Sequence, residues 1–196
     1  LLGGFLLFIS SPHAADRKEP DSHPLTFWAL NSGLVGMLVG FWLHQSLVVG
    51  ITGLVVMASC CSVIYTLWSR ARRMWTSSLK HAWYYALSLL GLVGGSACGE
   101  ILAFGFMPES SGYVRLAHIH LVVLGFVLLA IMGMMHHLLP TIWSRPFVSP
   151  TLAHTAIVLM PLGVAVLIGG FLNSSVPVEM AAGAILFTGG ILWIGN

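Results

Sequence analysis

Charge is what this chain lacks. Of its 196 residues only 7% are Asp, Glu, Lys or Arg, while 57% are hydrophobic. A soluble domain carries about 25% charged residues, so a water-soluble globular fold is excluded. Cysteine is scarce too. Cys60, Cys61 and Cys98 are the whole set; all lie inside apolar runs without metal-ligand spacing, and they read as packing residues. Long polar segments are missing, which leaves no room for a cytochrome c or iron–sulfur domain between the apolar runs. The net charge of +2 carries no nucleic-acid signal, because the basic residues fall between apolar runs, where they set membrane orientation.

What is present is apolar sequence spread along the whole chain, with a mean hydropathy of +0.92. Uninterrupted stretches run over Leu25–Leu43, Leu47–Trp68, Ala82–Phe106, Leu116–Leu139, Leu152–Leu172 and Val178–Ile194. Each is close to the ~20 residues that a helix needs to cross a bilayer, and too long for the alternating strands of a barrel. The expected fold is an all-α polytopic transmembrane bundle, a single domain over residues 1–196, with about six full spans and a truncated N-terminal helix at Leu1–Ser11. The chain begins without Met and stops at Asn196 directly after apolar residues, so trimming at both ends is expected. Arg70, Arg72, Arg73 and Lys80 cluster between the second and third spans. Counting spans from there puts Arg17, Lys18 and Arg145 on the same side and leaves Arg115 alone opposite. That asymmetry places the Arg70–Lys80 loop in the cytoplasm. A signal peptide ending near Ala14–Ala15 is the rival reading of the N-terminus, and it would put Arg17 and Lys18 outside, against the count.

Two patterns bear on packing. Gly91, Gly95 and Gly99 repeat at small-xxx-small spacing, as do Gly36 and Gly40, and mark close helix approach. There is also a weak internal repeat. Gly4-Phe5-Leu6-Leu7, a polar loop, Pro24 and a helix ending Gly40-Phe41-Trp42-Leu43 are echoed by Gly125-Phe126-Val127-Leu128, a loop, Pro150 and a helix ending Gly169-Gly170-Phe171-Leu172. The offset drifts from 121 to 129 along this match.

Nine histidines in so apolar a chain are the chemical feature to explain. His13, His23 and His81 read as interfacial contacts or caps, and His44 lies at the outer end of its helix. His118 and His120 occupy the first turns of a long apolar helix. At about 100° per residue they point about 200° apart, so they cannot chelate one ion together; each can reach a different group on either side of the helix. Neutral imidazole is the commonest metal ligand, and haem iron accepts an axial His. The alternative is two histidines that only hydrogen-bond between helices. Glu100 falls at a similar depth on the preceding antiparallel span. An intramembrane carboxylate is costly and usually functional; it could accept a His N–H and orient a ligand, take a proton, or simply bond a neighbouring helix. Glu179, at the start of the last span, reads as interfacial. A second, inner set comprises His136, His137 and His154. His136 lies five full α-turns from His118 and so on the same face, which would suit a second haem and a transmembrane two-haem wire; interfacial histidines flanking a Pro-containing loop explain the set equally well.

Ala117-His118-Ile119-His120-Leu121, followed by Leu124-Gly125-Phe126, Met132-Gly133 and His137-Leu138-Leu139-Pro140, resembles the tenth helix of subunit I in the heme–copper oxidase superfamily, nearest the cbb-type oxidases and nitric oxide reductases. A related look is shared with the NnrS-like haem membrane proteins. The resemblance covers Ala117–Pro140. It implies haem b, one or two per chain, with His118 as the high-spin-side axial ligand and His120 as the low-spin ligand. It further implies electron transfer within a respiratory or redox complex, other membrane subunits as partners, a quinol or partner cytochrome as electron source, and the cytoplasmic membrane of a prokaryote. The departures are specific. No His precedes Leu116 in the span Ala82–Phe106 to build the copper or non-haem iron site, and His136-His137 sits about 24 Å away along the helix at about 1.5 Å per residue. The expectation is therefore a haem-binding subunit without a complete reducing centre. A truncated terminal oxidase or nitric oxide reductase, and a haem-free structural or assembly subunit, are the alternatives.

Overall fold

The structure, a computed structural model, describes residues 24–73, 82–143 and 149–195. In chain order its helices are α1 (Pro24–Trp42), α2 (Ser46–Arg73), α3 (Ala82–Phe104), α4 (Ser111–His120), α5 (Leu129–Trp143), α6 (Pro150–Leu172) and α7 (Val176–Ile194). A π-helical stretch, Leu121–Leu128, joins α4 to α5 in one continuous rod. There is no strand among the described residues. Among the described residues six helices are long and apolar enough to cross a membrane, the α4–π–α5 rod counting as one. This is the all-α transmembrane bundle expected from the apolar runs, and every expected span is helical. The main boundary differences are that α4 starts at Ser111 rather than Leu116, and α2 continues to Arg73. The expected N-terminal helix at Leu1–Ser11 and the basic residues Arg17, Lys18, Lys80 and Arg145 lie outside the described residues.

Proline and short polar side chains set the starts. Pro24 and Pro150 open α1 and α6, and Pro177 stands in the first turn of α7, where a missing N–H costs nothing. Ser149 caps α6, its hydroxyl accepting from the Leu152 N–H at 3.4 Å.

Contacts divide the chain, expected from the sequence to be a single domain, into two compact units, Leu1–Ser78 and Leu79–Asn196. The described part of the first unit is the hairpin α1–α2. Gly33, Gly36 and Gly40 line the α1 face that meets α2. A Cβ on Gly33 would fall 2.8 Å from Val56 Cγ2, one on Gly40 would fall 2.9 Å from Val49 Cγ2, and one on Gly36 would collide with Thr52. Lipid offers no hydrophobic drive for helices to associate, so such backbone-to-side-chain contact supplies the attraction.

The second unit contains α3 to α7. Its α6–α7 hairpin reproduces α1–α2. In the first turn, His44 N–H donates to Phe41 O and Gln45 N–H to Gly40 O; in the second, Ser174 N–H donates to Phe171 O and Ser175 N–H to Gly170 O. His44 and Ser174 both take positive φ, 53° and 51°. Gly33 meets Val56 as Gly163 meets Leu186, and Gly40 meets Val49 as Gly170 meets Glu179. In each pair 130 positions separate the counterparts. The repeat read from the sequence is therefore structural in its helical half, but its register is corrected: Gly40 corresponds to Gly170, not Gly169. Its first half, Gly4–Leu7, lies outside the described residues.

The rest of the second unit is organised around the α4–π–α5 rod. The glycine ladder of α3 lies against it, as its spacing implied. Gly99 faces His118, Gly95 faces Val122, and Gly91 meets the backbone of Gly125. Lower down, a Cβ on Gly133 would be 2.8 Å from Tyr84 Cβ. Tyr84, Leu129, Met132 and Met160 form one buried cluster, and Ala117, Leu167, Phe171 and Ala182 form another nearer the Arg115 end.

Candidate functional site

The second cluster lies beside the His-x-His pair, and the two imidazoles leave the rod in different directions. His118 enters the groove of α3. Its Nδ1 lies 2.7 Å from Gly95 O, and its ring edge fills the space a Cβ on Gly99 would need, 3.1 Å from Cε1 and 3.2 Å from Nδ1. Gly99 is thus the residue that admits the imidazole between two closely packed helices. His120 turns towards α6, where its ring sits 4.9 Å from that of Phe171 at a tilt of 49°. Its Nδ1 lies 2.8 Å from Leu116 O, one turn back in the same helix.

A carbonyl oxygen can only accept a hydrogen bond, so both Nδ1 atoms carry the proton. In the neutral form the two rings then share one tautomer, with the lone pair on Nε2. Neither Nε2 has a hydrogen-bond partner among the described residues. Such an imidazole, its N–H fixed by a backbone carbonyl, is how metal-ligating histidines are oriented and made more basic. The donor chemistry of both residues therefore fits axial ligation of haem.

Directly after His120 the helix changes ladder. π-turns inside α-helices are frequent at functional sites and take up about one more residue per turn. The register expected between His118 and His136 is corrected by this stretch: five uniform α-turns do not separate the two positions, so a shared face no longer follows from their spacing. Close approach of Gly91 to Gly125, itself buried, sits within the same stretch.

Glu100 follows Gly99 on α3 and so lies at the depth of His118, as expected. It is hydrogen-bonded to neither imidazole, since Gly95 O and Leu116 O hold the Nδ1 protons. Its Oε2 is buried without a partner among the described residues. Glu179 stands at the start of the last span, where the sequence puts it. Its side chain packs on Gly170, and its Oε1 is buried and unpartnered among the described residues. Sequence reasoning missed this packing because a glycine on the neighbouring helix, not hydropathy, makes room for the carboxylate.

The inner set is only partly described. His154 is exposed on α6 and His136 and His137 belong to α5. His13, His23 and His81 lie outside the described residues, and His44 is exposed at the α1–α2 turn. Among the described residues no three His, Cys, Asp or Glu side chains gather around one point. Cys60 is buried, Cys61 exposed and Cys98 half-buried, all with free thiols.

The chain matches no protein-family model, no curated protein and no solved structure.

Proposed function

We propose that this chain is a membrane-embedded haem b-binding subunit that passes electrons within a redox complex, with His120 and His118 as the residues that would each hold a haem iron. One observation carries the proposal: two imidazoles on one helix, each with Nδ1–H held by a backbone carbonyl and Nε2 left as the available donor. Bound haem would supply reversible one-electron transfer there. The chain's own residues do the rest. Gly95 O and Leu116 O fix the tautomers, Gly99 gives His118 its space, and Phe171 bears on the His120 ring. Leu124, Leu167 and Ala182 belong to the apolar cluster around Phe171 and would keep water from the ligands. The resemblance of Ala117–Pro140 to the oxidase helix supports the same assignment, and with it a complex of other membrane subunits in a prokaryotic cytoplasmic membrane, drawing electrons from quinol or a partner cytochrome.

A reduced-minus-oxidised spectrum and a pyridine haemochrome assay on protein purified from its native membrane test this. A b-type α band and Soret band are expected, with loss of at least one haem in His120→Ala. Absence of any haem signal overturns the proposal. One observation favours a second reading: the His118–Gly95 bond by itself ties α3 to α4, a job a haem-free structural subunit would also need. The same assay decides between them.

A further inference from the structure

His120 is pinned by one hydrogen bond. Its Nδ1–H donates to Leu116 O at 2.8 Å, within its own helix. The last side-chain torsion of a histidine is broad and soft, so that bond alone would let Nε2 swing about Nδ1. His118 is held on two sides: its Nδ1 bonds Gly95 O on α3, and its ring edge fills the space above Gly99. A second restraint on His120 has to come from outside its own helix.

Phe171 supplies that restraint. The two ring centroids are 4.9 Å apart with the planes tilted by 49°, inside the range over which aromatic rings attract. Phe171 is only 6% exposed and packs with Ala117, Leu167 and Ala182, so it has little room to turn aside. Its main chain is tied down as well. Phe171 O accepts from Ser174 N–H at 3.1 Å, and Gly170 approaches α7 so closely that a Cβ on it would fall 3.1 Å from Glu179 N. The α1–α2 hairpin separates this ring from the needs of the bend. It makes the same turn bonds, yet Phe41, 130 positions before Phe171, is 61% exposed. A hairpin of this plan closes without seating that ring, so the seating of Phe171 belongs to its contact with α4.

We propose that Phe171 is the positioning residue of His120: with Leu116 O it clamps the imidazole and keeps Nε2 in one direction, the one in which it would meet a haem iron. A ligand oriented by its surroundings in this way needs no rearrangement when the metal arrives. The inference rests on the haem reading for the iron, while the clamp itself is a property of the chain and can be observed without haem.

Magic-angle-spinning NMR of the full chain in lipid, haem-depleted and carrying 15N-labelled histidine, reads the two imidazoles separately once His118→Ala and His120→Ala have assigned them. The native His120 ring should show a proton–proton contact with the Phe171 ring and the nitrogen shifts of a single Nδ1–H tautomer. In Phe171→Leu the two nitrogen shifts of His120 should converge as the other tautomer becomes populated, with those of His118 unmoved. Phe171→Tyr, which keeps the ring, should restore the native pattern. With haemin added, Phe171→Leu should retain haem but give a broadened ferric electron paramagnetic resonance signal.

A native protein without the His120–Phe171 contact overturns the proposal, whatever becomes of the variants. So does a His120 pattern in Phe171→Leu that is unchanged or that moves together with His118. Met160→Ala, which thins the other buried cluster on α6, must not move His120 as far as Phe171→Leu does; an equal effect would reduce Phe171 to general packing and overturn its assigned role. If the native chain takes up no haem while the nitrogen results hold, the haem reading falls and the clamp on His120 stands.

Discussion

His118 and His120 have the same chemistry but different structural costs. The Nδ1 bond of His118 spans 23 positions of sequence to reach Gly95 on α3, whereas that of His120 stays within its own helix. An interhelical side-chain bond in a membrane protein contributes about 0.6–1.7 kcal/mol. In haem-depleted protein, His118→Ala should therefore lower the thermal midpoint more than His120→Ala. With haem bound the order should narrow or reverse, because a ligand that binds only the folded state adds stability by mass action. Differential scanning fluorimetry with and without added haemin checks both halves. Glu100 gives a second residue-scale test. Since its buried Oε2 has no partner among the described residues, replacing the carboxyl removes a desolvation cost and breaks no observed bond. Glu100→Met should leave haem content unchanged and raise stability by about 1 kcal/mol. A drop in haem would show that the carboxylate orients a ligand after all. The depth of Glu100 and the opposed directions of the two histidines were legible in the sequence, from spacing alone. The Gly95 bond and the packing of Glu179 on Gly170, with its Oε1 buried, were not, because each depends on how one particular glycine of a neighbouring helix is placed.

At the scale of elements, glycine decides how closely helices come. Gly91 faces the Gly125 backbone, where a side chain has nowhere to go, while a Cβ on Gly190 would meet nothing within 4 Å. Gly91→Val should separate α3 from the π stretch at a cost of about 1–3 kcal/mol. Gly190→Ala should be neutral or slightly stabilising, by about 0.4–1 kcal/mol; chemical unfolding in mixed micelles distinguishes the two. The α3 ladder could be read from sequence because small-xxx-small spacing is itself the requirement for close approach. The π stretch could not. Leu121–Leu128 has the composition of any transmembrane helix, and a change of ladder there leaves no mark in hydropathy or in turn residues.

At the scale of the whole molecule the six spans were legible because lipid permits so few solutions: apolar runs of bilayer length, bounded by Pro, Gly and short polar clusters, have to be helices. The chain should accordingly resist extraction from membranes by alkaline carbonate, with a purely helical circular dichroism spectrum. The repeat was legible only faintly, since few identities survive between its helical halves. Its register emerged from backbone hydrogen bonds rather than side chains.

The two hairpin turns carry a consequence of their own. Leu43-His44-Gln45 and Asn173-Ser174-Ser175 bend the main chain identically while sharing no residue. Their tripeptides should be exchangeable between the hairpins without altering either bend. Whatever distinguishes a histidine from a serine at that crest is therefore available for tasks other than folding.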